Sequence, residues 1–234
     1  YNASSFNNAF SGNTITSIPD NCFNGNNASW TNGFPINSIT SLGVNSLNGL
    51  NITSDMFKNK TNLKTVSDNA FWSNVSTSIT NAPTNIFNGC SGLTSIGNIN
   101  LKVVDTNTDL TNMFSGCTSL SDISGFYYKE NQPSIACNIS FADCPLTHDS
   151  LININNSLVV NTQNTKKTLT LGSSNLSKLT DIEKLDIINK FWDLNGYVIN
   201  INAELAQNIV KYLYGGENTG TEMYQETSLY FYVR

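Results

Sequence analysis

A phenylalanine-led motif recurs at a fixed interval in the middle of the chain. It starts at Phe87, Phe114 and Phe141, so that both intervals are 27 residues long. In the first two copies cysteine, leucine and isoleucine follow at three, six and nine positions, as the run from Phe87 to Ile96 illustrates. Self-similarity at a period between about 20 and 50 residues indicates a repeat architecture. We therefore expect stacked repeats rather than a fold built around one compact core.

Looser copies precede the regular ones. Phe57 keeps apolar residues at six and nine positions, whereas Phe10 and Phe34 have them at five and eight. Two shorter segments, which end at Phe23 and Phe71, each contain an Asp-Asn pair that favours a turn. One coil of such a chain cannot bury its own apolar side, so stacked coils would share a continuous core. Asparagines at equivalent turns either stack as hydrogen-bonded ladders or reflect a composition rich in Asn.

The order Ala-Phe or Met-Phe, a small turn, Cys and then Leu-x-x-Ile resembles the repeats of BspA-type leucine-rich-repeat proteins. The pattern covers residues 5–146, with less regular connections at 97–111 and 124–138. Its period falls within the roughly 20–29 residues typical of leucine-rich repeats. The resemblance implies an α/β repeat fold, in which short parallel strands stack in the coils of a solenoid over residues 1–146. It also implies action by binding, because the family occurs on bacterial surfaces, in some protozoa and in bacteriophage structural or tail proteins.

Helical patterns replace the regular repeats after residue 146. Thr147 suits the N-cap of a helix, whose apolar face would comprise Leu151, Ile154 and Leu158. The alternating segment 167–171 predicts a strand that stops at Gly172. We expect residues 147–199 to continue the solenoid with larger, helix-containing coils.

A capping box predicts a second helix in this region. Thr180 and Glu183 have the spacing of such a box. The pattern predicts a helix over 181–194 that stops at Asn195-Gly196, with an apolar face formed by Leu185, Ile188 and Trp192. The string 169–184 resembles a segment that follows BspA-like repeats in phage and prophage-encoded proteins of gut bacteria. That resemblance implies a bacteriophage context.

Residues 200–234 are expected to end the solenoid with a helix and a cap strand. The segment 203–214 has helical spacing and is followed by Gly215-Gly216. The aromatic run 228–234 is strongly β-prone. We expect it to pair with a sheet edge, either as a cap within the chain or as a homo-oligomer contact with a partner chain.

The composition excludes several classes of partner. The net charge is −5, and the 12 Lys and Arg residues form no basic cluster, so nucleic-acid binding is not expected. No run approaches the roughly 18 consecutive apolar residues that would favour membrane insertion. Charged residues make up 12% of the chain, and Asn, Ser and Thr supply a surface of amides and hydroxyls.

The repeated pattern is already present at the first residue, Tyr1. We therefore expect a fragment, a processed product or a further N-terminal segment.

The cysteines fit the repeat better than they fit chemistry. Cys90, Cys117 and Cys144 share one register, and with Cys22 and Cys137 the total is odd. We expect free, buried thiols, because disulfides across the column are geometrically constrained and an odd total cannot pair fully. His148 lies close in sequence to Cys137 and Cys144, but zinc requires four ligands, or three and a water, and the chain has a single His. We expect His148 on the surface, in the first turn of a helix.

No other pattern indicates catalysis or a cofactor. The carboxylate pairs 181/183 and 222/226 are typical of solvated helix or loop charges, and Gly215-Gly216 lacks the Lys-Ser/Thr of a phosphate loop. Glycosylation sequons arise by chance where Asn, Ser and Thr are abundant, and here they start at Asn2, Asn27, Asn51, Asn59, Asn74, Asn138, Asn155 and Asn175. We expect no catalytic residue, no cofactor and no metal, and no ligand-binding residue is identified.

Three functions remain to be compared. The first is a bacteriophage virion protein of the tail, fibre or capsid surface, used in attachment or assembly, whose partners are other virion proteins or a host surface protein or glycan. The alternative is an extracellular or bacterial cell-surface adhesin that binds host protein or glycan. An enzyme with a repeat domain would need a catalytic part outside residues 1–234.

Overall fold

A computed structural model of the chain describes residues 14–24, 36–48, 50, 54–71, 83–101, 104, 106–129, 132–195 and 197. Within these ranges the fold is α/β, with short, mostly parallel strands in sheets and few helices. The strands are β1 Ser17–Ile18, β2 Ser41–Leu42, β3 Thr65–Val66, β4 Ser95–Ile96, β5 Asp109–Leu110, β6 Asp122–Ile123, β7 Tyr127–Tyr128, β8 Gln132–Pro133, β9 Asn138–Ser140, β10 Lys167–Thr170 and β11 Trp192–Asp193. The helices are α1 His148–Ser157, α2 Ser173–Leu176 and α3 Asp181–Asn189, with a 3-10 turn at Gln163–Thr165.

The first sheet collects the strands of the repeated motif in the order β1-β2-β3-β4-β6, all parallel. In every strand the first residue is at least partly exposed and the second is buried. The buried column is formed by Ile18, Leu42, Val66, Ile96 and Ile123. In each of these two-residue strands, one side chain therefore faces the solvent and the next faces the core.

A second parallel sheet has the order β11-β10-β9-β5. The strand predicted over 167–171 is confirmed as β10, but the sheet that it joins was not predicted. Leu110, Ile139 and Leu169 lie in register across it and are buried, as is Trp192. The segments that the sequence marks only as less regular connections, 97–111 and 124–138, contain β5, the antiparallel hairpin of β7 and β8, and the first residue of β9. Strands of two or three residues are too short to be recognised by alternation alone. Those of the first sheet were located by the repeated motif, which these segments do not follow.

The predicted register of phenylalanines is confirmed as a stacked column. Phe57, Phe87, Phe114 and Phe141 are fully buried, with successive ring centroids 6.0, 5.8 and 5.1 Å apart and interplanar angles of 14°, 13° and 21°. Offset stacking at these distances is favourable beyond the burial of apolar area. Apolar side chains from both sheets and from the helices join this column in one buried cluster.

Helix α1 closes the β6 edge of the first sheet. Thr147 is its N-cap, as predicted, and accepts a hydrogen bond from the Ser150 backbone N–H. The Ser150 hydroxyl accepts from the Ile123 backbone N–H at 2.9 Å and donates to the Ser121 carbonyl at 2.9 Å. The Thr147 N–H also donates to the Ser121 carbonyl at 2.9 Å, and Asn153 Nδ2 donates to the Ile123 carbonyl at 2.8 Å. Helix α1 therefore satisfies edge groups that would otherwise pair with another chain.

Helix α3 begins as predicted and ends earlier. Thr180 and Glu183 form the capping box, but the helix stops at Asn189 and does not reach residue 194. Phe191, at φ 59°, turns the chain out of the helix, so that Trp192 lies in β11. Leu185 of the predicted apolar face is buried, and Ile188 is partly buried against the core. Trp192 is buried as well, but in β11 and not in the helix, and the prediction missed the buried Ile187. The predicted helix at 203–214 and cap strand at 228–234 lie outside the described residues.

Candidate binding surface

The exposed edge of the repeats carries a regular polar strip. We define the hydroxyl strip as the first residue of each strand in the first sheet and the residue before it, two columns that run from β1 to β6. The first column is Ser17, Ser41, Thr65, Ser95 and Asp122, and the second is Thr16, Thr40, Lys64, Thr94 and Ser121. Every member is exposed or partly exposed. Alternation accounts for the first column, whose apolar neighbour points into the core, whereas the second column lies before the strands begin.

Backbone hydrogen bonds fix the spacing of the strip. From Thr40 onward, each residue of the second column donates its N–H to the carbonyl of the equivalent residue before the previous strand. Thr40 donates to Thr16 at 2.7 Å, and Thr94 donates to Lys64 at 2.9 Å. The hydroxyls of Thr40 and Thr94 donate to the same carbonyls, at 2.8 and 3.0 Å. Their proton is thus committed, so these oxygens present lone pairs to an incoming donor.

The strip is largely neutral. Lys64 and Asp122 are its only ionisable members, and the Asp122 carboxylate already accepts a hydrogen bond from the Ser121 hydroxyl at 2.5 Å. Neighbouring strands repeat at about 4.8 Å, so the strip offers a row of hydroxyl groups at that interval. Such a row can exchange hydrogen bonds with hydroxyl or amide groups of a ligand, whereas it offers little to a highly charged one.

The thiols of the repeat register, those of Cys90, Cys117 and Cys144, are buried in the core. Cys90 Sγ donates to the Phe57 carbonyl at 2.9 Å, and Cys117 Sγ donates to the Phe87 carbonyl at 3.1 Å. Burial raises the pKa of Cys90 to about 11, against a smaller opposing effect of Lys60, and burial raises the pKa of Cys144 to about 12.

All five cysteines are free, as predicted, and four of them are buried. The expected burial was wrong for Cys22, which is exposed. The high pKa values of the register thiols leave almost no thiolate at neutral pH, and thiolate is the reactive form.

His148 contacts a carboxylate and not a thiol. It is the first residue of α1, as predicted, and its Nε2 lies 2.9 Å from Glu183 Oε1. Burial acts to raise the pKa of Glu183, but hydrogen bonds from Thr180 and the proximity of His148 hold it below its ordinary value. The contact links α1 to α3 between residues 35 positions apart, and no sequence signal relates the two positions.

Across the described ranges no group of three or more His, Cys, Asp and Glu side chains could hold a metal ion.

The remaining sequence candidates take structural positions where they are described. Asp181 accepts a hydrogen bond from Lys184 at 3.2 Å. Asn155 and Asn175 are buried, so neither sequon is open to a glycan in the folded chain. The pair 222/226, Gly215-Gly216 and the sequons at Asn2, Asn27, Asn51 and Asn74 lie outside the described residues.

No helix within the described ranges combines the length and the apolar character needed to cross a bilayer. Comparison of the chain with protein-family models, with curated proteins and with solved structures gives no match to any of them.

Proposed function

We propose that the chain is a non-enzymatic binding and structural module, built as a leucine-rich-repeat solenoid of the BspA-like kind. Three columns support this proposal: the parallel strands of the first sheet, the stacked phenylalanines and the buried thiols. Within each column, successive members come from successive repeats of the chain. In such a solenoid each coil buries its apolar side against its neighbours, and the exposed rim is left for recognition.

The hydroxyl strip is the proposed recognition surface, and it is the observation that carries this function. It repeats one chemical group per strand at a constant interval, and its backbone is held rigid by the ladder beneath it. A rigid polar row loses little conformational entropy on binding. The ligand class that fits is an uncharged, hydroxyl-rich or amide-rich surface, which describes a host glycan or protein.

The biological setting we propose is a bacteriophage virion, at the tail, fibre or capsid surface. The support is the likeness of residues 169–184 to a segment of phage and prophage proteins, so the partners would be other virion proteins and a host surface. The strip would equally suit a bacterial cell-surface adhesin. Immunoelectron microscopy separates the two, because label on purified particles supports the virion, and label confined to the bacterial surface contradicts it.

The binding role is tested with whole cells of gut bacteria as the probe. Fluorescently labelled full-length chain is added to untreated cells, to cells whose glycans are oxidised with periodate, and to cells treated with protease. Ser41→Arg with Ser95→Arg places two bulky charges on the strip, two strands apart. We expect at least a tenfold loss of cell binding, and the two treatments distinguish a glycan from a protein receptor.

The matched control is Asn156→Arg with Asn164→Arg, which adds the same charge at two exposed positions away from the strip. Both double variants should keep the wild-type melting temperature. Equal binding by the strip variant and the control would contradict the assigned surface. Failure of the wild-type chain to bind any of the cells would contradict a role in attachment.

A further inference from the structure

Three side chains close a hydrogen-bonded triangle between α1 and α3. Asn155 belongs to α1 and is only 5% exposed, Asp186 belongs to α3, and Lys190 is the C-cap of α3. Lys190 Nζ lies 2.9 Å from Asn155 Oδ1 and 2.9 Å from Asp186 Oδ2. Asn155 Nδ2 donates to the same Asp186 oxygen at 2.8 Å. One carboxylate oxygen therefore contacts both the amine and the amide nitrogen.

The partners define the orientation of the Asn155 amide. If the amide were flipped, its NH2 group would face the Lys190 ammonium and its oxygen would face the Asp186 carboxylate, so both contacts would become repulsive. The carboxamide carbonyl oxygen therefore points at Lys190. Because the C=O bond is about 1.23 Å long, Nζ must lie within about 4 Å of Asn155 Cγ. A displacement of at most about 1 Å would therefore bring the amine from the oxygen to the roughly 3–3.5 Å separation at which reacting atoms meet.

These are the groups that an amide exchange requires. An amine supplies the nucleophile, a buried carboxamide is the electrophile, and a carboxylate in contact with both nitrogens can carry protons between them. The Lys190 side chain is 19% exposed, so water has limited access to the amine, while Asp186 is 45% exposed and can exchange protons with solvent.

We propose that Lys190 and Asn155 form an autocatalytic isopeptide bond that covalently joins α1 to α3. Asp186 takes one proton from Nζ, and the resulting amine adds to Asn155 Cγ. Asp186 then returns this proton to Nδ2 as the Cγ–Nδ2 bond breaks. The leaving ammonia carries away the second proton of the new amide nitrogen as ammonium. One carbon–nitrogen bond forms and one breaks, no atom changes oxidation state, and no co-reactant is required.

The bond would join residues 35 positions apart and remove the positive charge of Lys190. It would constrain the unfolded chain as a disulfide does, but it would resist reducing agents. In the unreacted state, Nζ also donates to the Asn155 backbone carbonyl at 2.9 Å, so that the ammonium has three acceptors and holds its place before reaction.

The test is the intact mass of the purified full-length chain, followed over several days at mildly alkaline pH. We expect the mass to fall below the sequence mass by one ammonia, and proteolysis to release a branched peptide that joins residues 155 and 190. Lys190→Arg keeps the charge but removes the amine, and Asp186→Asn removes the base, so both variants should keep the sequence mass. The control is Lys184→Arg, which alters the Lys184–Asp181 ion pair on the same helix and should still lose ammonia.

Two results would overturn the proposal. The first is an unchanged mass in the wild-type chain throughout the incubation, which would mean that the triangle is only an ion-pair clamp. The second is a loss of ammonia that persists in Lys190→Arg, which would identify a succinimide formed by an asparagine and not a bond to Lys190.

Discussion

At the scale of the residue, each position of the motif selects for a specific physical property. The cysteine position requires a small buried group that can donate weakly to a carbonyl of the previous repeat, and a thiol meets both needs. The copy that starts at Phe57 has Lys60 there instead. The Lys60 side chain is partly buried, and its Nζ donates to Asn37 Oδ1 at 2.6 Å at the surface. Lysine is tolerated at this position because its long aliphatic chain can be buried while its ammonium group reaches solvent.

The phenylalanine column should carry much of the stability. Phe114 is fully buried between Phe87 and Phe141, so Phe114→Ala should lower the free energy of unfolding by about 3–5 kcal/mol. Phe114→Leu, which leaves a smaller cavity, should cost less. Urea denaturation followed by fluorescence measures both values, and a near-neutral Phe114→Ala would contradict the register.

The buried thiols predict a fall in stability at alkaline pH. Folding raises the pKa of Cys90 from an ordinary value of 9.0 to about 11. Below pH 9 the thiol is protonated in both states and the stability is fully present. As pH rises from there through about 11, the unfolded chain loses the proton first, so the free energy of unfolding falls. Cys90→Ala should show a shallower decline over this range in parallel urea titrations, and an identical slope would count against the buried thiol.

At the scale of the element, the turns of the first sheet alternate between two forms. Asp20 lies in the turn after β1, and its carboxylate accepts a hydrogen bond from the backbone N–H of Val44, which follows Gly43 in the turn after β2. Asp68, in the turn after β3, accepts in the same way from Asn98, which follows Gly97 after β4. A Cβ on Gly43 or Gly97 would collide with the backbone of that aspartate. The residue directly after β3 is Ser67 and the residue directly after β6 is Ser124. In both cases the turn after the neighbouring earlier strand of the sheet has no aspartate, so a glycine is found only where it packs against an aspartate turn.

This alternation predicts opposite tolerance at two equivalent positions. Gly97→Ala should destabilise the chain by roughly 1–3 kcal/mol, as overpacking does, because its Cβ meets the Asp68 backbone. Ser124→Ala, at the same position one strand later in the sheet, should stay within about 0.5 kcal/mol of wild type. Thermal unfolding of the two variants provides the comparison, and equal melting temperatures would refute the steric argument.

Local signals predicted where elements begin better than where they end. The Thr147 and Thr180 caps lie close to the helices they start, so both were recognised from a few residues. The end of α3 depends on Phe191 adopting a left-handed conformation, which sequence does not indicate for a bulky residue. The triangle of Asn155, Asp186 and Lys190 likewise depends on how two helices pack, and no spacing along the chain could have revealed it.

At the scale of the whole molecule, the repeat period predicted the first sheet and the core but not the second sheet. Phenylalanine, leucine and isoleucine recur often enough to locate their columns, whereas β5, β9, β10 and β11 derive from segments of unrelated sequence. The proposed role as a binding module therefore depends on the part of the fold that the repeat determines. In that part the strand order follows the chain, and the hydroxyl strip follows the strand order.

The stacking of parallel repeats is tested most directly by the distance across the first sheet. Spin labels at Ser17→Cys and Asp122→Cys, in a Cys22→Ser background that removes the exposed native thiol, are measured by double electron–electron resonance. Because β1 and β6 are separated by four strand steps, the two backbones should lie about 19 Å apart. We expect a single narrow distribution centred near that value, broadened only by the label linkers. A broad distribution, or a mean far beyond four strand steps, would contradict the stacked parallel repeats.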